Sequence, residues 1–302
     1  MLYEGGVEMD KSKGNYKGIF FVALSALFFS LNSVFAKIAM QNSNYSGIVM
    51  AFGRFIVGFV IFLAYVVFKK KNLKPNNMKY IILRAIFNAL TIIFFFISVQ
   101  FTTITNANML NMTYPVFVFL MAPYMNNEKV KKIYYSFLIL TMIGYYLIVF
   151  PDFNSINKGD VAGLMAGLMA AFAVSFLREA RKQDESYLIM FYLMLIGSII
   201  TFIMVVSNLE IPTPMVAFYI FFSALMGVLG QLFITIGYRY VDSATGALVA
   251  SSRIIFGVIL GVSLFSEMLS LRIIVGGILI MISLVGVSGI LYKYLHNAEK
   301  SL

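Results

Sequence analysis

The chain has no cysteine, a single histidine and only 12% charged residues, about half the share of a soluble domain. Without cysteine there is no disulfide and no thiolate chemistry. The histidine, His296, sits in the C-terminal tail, which leaves no histidine proton relay and no histidine metal site. All thirteen acidic residues fall in tails, loops or the ends of apolar stretches, and none lies well inside one. That argues against the simplest proton-coupled carrier, in which a membrane-embedded carboxylate is alternately protonated. A Ser–His–Asp set, a phosphate-binding loop and a metal cluster are also missing, so the chain reads as a non-enzyme with no cofactor. No polar run is suited to a channel filter.

What the sequence does have is hydrophobicity: 61% of its 302 residues are apolar, against about 45–50% in soluble domains. Such a chain has no polar surface to offer water. The expectation is an all-α integral membrane protein, in which packing between helices replaces an ordinary core. Ten apolar stretches approach or exceed the ~20 residues a helix needs to cross a bilayer: 18–36, 46–68, 78–101, 105–124, 133–150, 159–177, 187–206, 214–238, 244–265 and 271–291. The first lacks a clear signal-peptide cleavage site and is followed by nine more, so it is read as a span. Short connections make successive helices antiparallel neighbours. The chain divides into a tail at 1–16, five helices in 17–150, five more in 159–295 and a tail at 296–302.

The formal charge of +10 is topological, not a nucleic-acid patch. With the N-terminus inside, seventeen Lys and Arg fall on the inner side and two, Lys158 and Arg272, on the outer. This is the positive-inside bias, and it puts both termini in the cytoplasm of a plasma or inner membrane. Five helices followed by five form an odd-numbered repeat, whose second copy inserts upside down. The expected architecture is therefore ten transmembrane helices in two inverted repeats.

Two stretches in matching places carry the polar residues. Residues 107–128 hold Asn108, Asn111, Thr113 and Tyr114, then Pro115 in mid-run, then Glu128. Residues 246–267, at an offset of 139, hold Ser251, Ser252 and Arg253 and close on Glu267. Polar side chains and a helix-breaking proline persist in lipid where neighbouring helices or a wet cavity satisfy the freed groups. Unusual segments at corresponding places of two halves point to a transport site. Pro115, Glu128 and Glu267 are the candidate gating residues.

Four basic residues lie in or beside spans. Lys37 can snorkel to the surface. Arg54, Arg84 and Arg253 are deeper, and Arg253 sits near the middle of the ninth span. Arg84 and Asn88 share a helix face at i, i+4. With Asn32, Asn111, Tyr114 and Gln231 they make the candidate substrate-binding set, although a lone Asn or Gln in lipid is as often glue between helices. The pairs Gly163/Gly167 and Gly257/Gly261 read as close helix contacts.

The motifs SLNSVFAKIAM, GRFIVGF, QFTTITNANMLNMTYPVFVFLMAPYMNNE and FGVILGVSLFSE, with the ten spans and the two closing glutamates, resemble the EamA-like branch of the drug/metabolite transporter superfamily. The resemblance covers roughly 17–295. The family pattern places a mid-helix proline in each half. This sequence has Pro115 in the first and Ile254 in the second, which leaves a symmetric pair of kinks without its second proline. The resemblance implies a secondary carrier working by alternating access, with peripheral helices available for a dimer contact. Fixed positive charge without fixed negative charge favours a small substrate bearing a carboxylate or phosphate, such as an amino acid or nucleotide-derived compound. The partners expected are this solute and membrane lipid. The competing readings are an exporter of cationic amines or drugs and a lipid flippase.

Overall fold

The computed structural model describes residues 11–43, 45–102, 104–149, 157–206, 212–265 and 269–288. Among these, twelve helical segments follow one another: α1 Lys11–Gln41, α2 Gly47–Phe68, α3 Met78–Phe101, α4 Ile104–Asn111, α5 Tyr114–Met125, α6 Lys132–Val149, α7 Lys158–Gln183, α8 Ser186–Val205, α9 Pro214–Gly237, α10 Ser243–Ala250, α11 Arg253–Phe265 and α12 Leu271–Ser288. A chain this apolar can satisfy its backbone in lipid only within helices or closed barrels, and the described residues form helices joined by turns and short loops, with no strand among them.

Eight helical stretches are long and apolar enough to cross a membrane, with α10 and α11 counted together as Ser243–Leu264. The molecule is a multi-pass membrane protein. The α6 stretch Lys132–Ile148 is shorter, and α4 and α5 are shorter still. The fourth and ninth expected spans are each two helices joined at a turn, at 112–113 and at 251–252. The two turns lie 139 residues apart, the offset at which the two stretches were matched in the sequence.

Local chemistry sets several helix starts. Asn157 accepts from the Gly159 and Asp160 N–H groups, while the Asp160 side chain accepts from the Asn157 N–H, a reciprocal cap on α7. Asp242 caps α10 by accepting from the Thr245 N–H at 2.7 Å.

The packing is reciprocal between the halves. Helix α3 runs along α7 as α9 runs along α1, α5 meets α7 as α11 meets α1, and α3 meets α8 as α9 meets α2. Helix α2 packs on α8, and α6 on α12. Gly144 and Gly276 bring α6 and α12 together: a Cβ on either would lie within 2.7 Å of the other's carbonyl oxygen. Gly163 and Gly167 let α4 approach α7, where a Cβ would fall 2.7 Å from Leu110 Cβ or Thr113 Oγ1. Gly257 does not share that role. Among the described residues nothing stands within 4 Å of its Cβ position, so the expected close contact is not made with any of them.

One end of the molecule gathers the basic segments. Tyr187 and Tyr192 donate their hydroxyls to the Asn72 and Leu73 carbonyls, and Asp184 accepts from the Asn76 and Asn77 N–H groups. These bonds strap the α2–α3 loop to the α7–α8 turn. The start of α1 reaches the same end, where Lys17 lies over the Tyr240 ring beyond α9.

Candidate functional site

The second piece of each broken helix begins at the same cavity, with Tyr114 opening α5 and Arg253 opening α11. The cavity has a volume of about 100 Å³. All eight residues of the candidate binding set line it: Asn32 from α1, Arg54 from α2, Arg84 and Asn88 from α3, Asn111 from α4, Tyr114 from α5, Gln231 from α9 and Arg253 from α11. No Asp or Glu is among the lining residues.

Arg54 Nη2 donates to Gln231 Oε1 at 3.1 Å, and Arg253 Nη2 donates to Ser33 Oγ at 2.8 Å. Arg84 is 2% exposed, and its Nε has no acceptor. Among the described residues the three guanidiniums thus have no anionic partner. An unpaired buried charge costs several kcal/mol even after relaxation, roughly what a bound anion could return. Asn88 Oδ1, Asn111 Nδ2, Gln231 Nε2, Arg54 Nε and Ser252 Oγ are likewise buried without a partner. Asn32 is better satisfied: its Nδ2 donates to the Ser223 carbonyl at 2.7 Å and lies 2.9 Å from Ser223 Oγ, tying α1 to α9. The Tyr114 hydroxyl donates to the Ala247 carbonyl at a long 3.4 Å.

The structure adds residues that the sequence did not single out. The Phe29 ring carries Arg54 at 5.2 Å and Arg253 at 5.7 Å, and Phe95 carries Arg253 at 5.6 Å. Cation–π contact lets two like charges share an apolar wall. Gly227 and Gly230 make the room. A Cβ on Gly227 would lie 2.9 Å from Arg54 Nε, and one on Gly230 2.8 Å from the Phe29 ring. Gly227 and Gly230, four residues and one residue before Gln231 in LMGVLGQLF, were the available sequence signal.

Of the gating candidates, Pro115 is buried in the first turn of α5. Glu128 joins four elements at the basic end. Its Oε1 meets Arg178 Nε at 2.9 Å, and its Oε2 accepts from the Ser243 N–H at 2.7 Å. Arg178 Nη1 also donates to the Tyr238 carbonyl at 3.0 Å. Asn126 Nδ2 donates to Ser175 O and Glu179 Oε1, and Asn126 Oδ1 accepts from Ser243 Oγ. The ends of α5, α7 and α9 and the start of α10 are thereby held together. Burial raises the Glu128 carboxyl above its ordinary range; the Ser243 N–H and Arg178 pull it down, and Asp242 pushes it up. Glu267 lies outside the described residues. Lys37 lines a separate shallow depression with Gln41, Tyr45 and Gln100.

The model of the EamA-like transporter family matches this chain twice, over residues 16–150 and 157–289. An uncharacterized transporter of Helicobacter pylori is 23% identical over 88% of this chain and 92% of its own length. The pseudopaline exporter CntI of Pseudomonas aeruginosa is 22% identical over 90% and 95%. Solute carrier family 35 member G1 of Mus musculus is 22% identical over 89% and 77%. A solved crystal structure covering 93% of this chain and 99% of that one has a TM-score of 0.76 at 11% identity, which speaks to the fold alone. With a doubled match and relatives that are transporters along nearly their whole length, the chain belongs to the EamA-like transporter family of the drug/metabolite transporter superfamily.

Proposed function

We propose that this protein is a secondary carrier that moves a small metabolite bearing a carboxylate or phosphate by alternating access. The observation that carries the proposal is the convergence of Arg54, Arg84 and Arg253 on one cavity without a lining carboxylate. A cationic amine would meet three like charges there. An anion would form charge-assisted hydrogen bonds with donors such as Arg54 Nε and Arg84 Nε, which have no acceptor among the described residues. Asn and Tyr side chains would orient the rest of the solute.

The architecture proposed is ten spans in two inverted repeats, with both termini in the cytoplasm. The reciprocal packing of the halves supports it, as does the equal spacing of the two broken helices. The bonded network at Glu128 serves as the closure at the basic, inner end. Alternating access then amounts to breaking this closure while one at the opposite end forms, around a fixed central site.

The test is efflux from proteoliposomes loaded with a total metabolite extract, read by mass spectrometry. Anionic metabolites should leave wild-type vesicles and stay in vesicles carrying Arg84→Ala. If only cationic amines leave, or nothing leaves faster than from empty vesicles, the proposal fails.

A further inference from the structure

Resting on that reading, we infer that the cavity takes a solute with two anionic groups and at least one hydrogen-bond donor. Two of the guanidiniums share one aromatic ring and the third does not. Arg54 and Arg253 share the Phe29 ring, at 5.2 and 5.7 Å. Arg84 is not on that ring. It stands on α3 one turn before Asn88, and both line the cavity. One carboxylate offers two oxygens and fits one guanidinium bidentately. A single such group would leave two of three buried cations uncompensated, and a second group leaves one.

The unpartnered atoms point the same way. Among the lining residues, Arg54 Nε, Arg84 Nε, Asn111 Nδ2 and Gln231 Nε2 are donors. Asn88 Oδ1 is the acceptor among them. The complementary solute is rich in acceptor oxygens and brings one N–H or O–H to Asn88. Phe29, Phe95 and Ile92 give the remaining wall an apolar character. The same anionic chemistry could come from a free solute or from a phospholipid headgroup. A cavity of about 100 Å³ among buried side chains favours the free solute.

The experiment uses the purified full-length chain in an uncharged detergent, at constant ionic strength and mildly alkaline pH. Thermal unfolding is followed with acetate, succinate, inorganic phosphate and pyrophosphate as probes, since a ligand that binds the folded state raises the melting temperature. Succinate or a phosphate should bind at least about tenfold tighter than acetate, a difference of about 1.4 kcal/mol. Arg84→Gln should erase that advantage and retain acetate binding. Arg253→Gln provides the same comparison if Arg84→Gln does not fold. Equal binding of acetate and succinate, both lost in the arginine variants, would overturn the two-anion inference and leave the anion carrier standing. No stabilisation by any of the four would overturn both. Shifts that are the same in wild type and variants would be a general salt effect and overturn the inference. So would stabilisation by phosphatidate micelles alone, which would identify a headgroup.

Discussion

Tyr114 and Arg253 occupy the same place in two helices that break alike, yet one is a phenol and the other a guanidinium. The breaks around them are also made differently. In the first, Pro115 has no N–H to give the Asn111 carbonyl, and Thr113 turns back to Leu110 O through both its N–H (3.2 Å) and its hydroxyl (2.7 Å). In the second there is no proline. Ser251 and Ser252 donate their N–H groups three residues back, to Leu248 O and Val249 O, and Ser251 Oγ bonds Ala247 O at 3.2 Å. Ser30 of α1 then donates to the Arg253 carbonyl at 2.9 Å. A helix can thus be interrupted by removing a donor or by supplying alternative ones. Either way the first residue after the turn points into the cavity.

If the two breaks share geometry but divide the chemistry, substitutions at their matched positions should differ in size. Arg253→Ala removes a charge that contacts the solute in the proposed mechanism. It should lower proteoliposome transport by about 100-fold or more, with folded protein retained. Tyr114→Phe removes only a hydroxyl held at 3.4 Å. It should cost about threefold to tenfold, and in affinity more than in rate. Equal losses at the two positions would dissolve the distinction between a charged and an orienting half.

The glycine pairs sharpen the comparison at the level of packing. Gly167→Ala puts a Cβ 2.7 Å from Thr113 Oγ1 and 3.0 Å from the Leu110 carbonyl, so the first break must shift. The expected cost is about 1–3 kcal/mol in thermal or denaturant unfolding. Gly257→Ala meets nothing within 4 Å and should be neutral, or stabilising by up to about 1 kcal/mol through helix propensity. A destabilised Gly257→Ala would mean that α11 has a close neighbour after all.

These contrasts mark what could be read from the sequence. Asn88, Asn111, Arg84 and Arg253 stand out because polar atoms inside an apolar run need partners, and the only economical place for several of them is together. Helical spacing then carries them to one cavity. Phe29 could not be distinguished among thirty phenylalanines, because its role depends on which helix faces α1. The same holds for Ser33, and for Asn126 and Arg178 at the basic end, whose partners are some fifty or more residues away. A GxxxG spacing reports a smooth helix face and says nothing of what lies opposite. Gly163 and Gly257 therefore read alike and sit differently. The proline drew attention to the first break, while the second was hidden because serines also occur in continuous helices.

The mildest substitution tests whether the breaks are interchangeable. Ile254→Pro writes the first half's signal into the second. It removes the Ile254 N–H bond to the Ser251 carbonyl at 3.2 Å, about 1 kcal/mol. Against this, position 254 lies in the first turn of α11, where a proline ring is pre-organised for the helix. Proline also reduces the freedom of the unfolded chain by about 0.4–1 kcal/mol. A proline disfavours helical backbone in the residue before it, here Arg253. Tyr114 already adopts helical backbone before Pro115 at the matched position. The expected change is therefore within about 1 kcal/mol in stability, and transport should stay within about threefold. A loss approaching that of Arg253→Ala would mean that the second break depends on its own N–H and serine bonds. The two helices would then share only spacing, and Arg253 would be aimed by a turn that proline cannot reproduce.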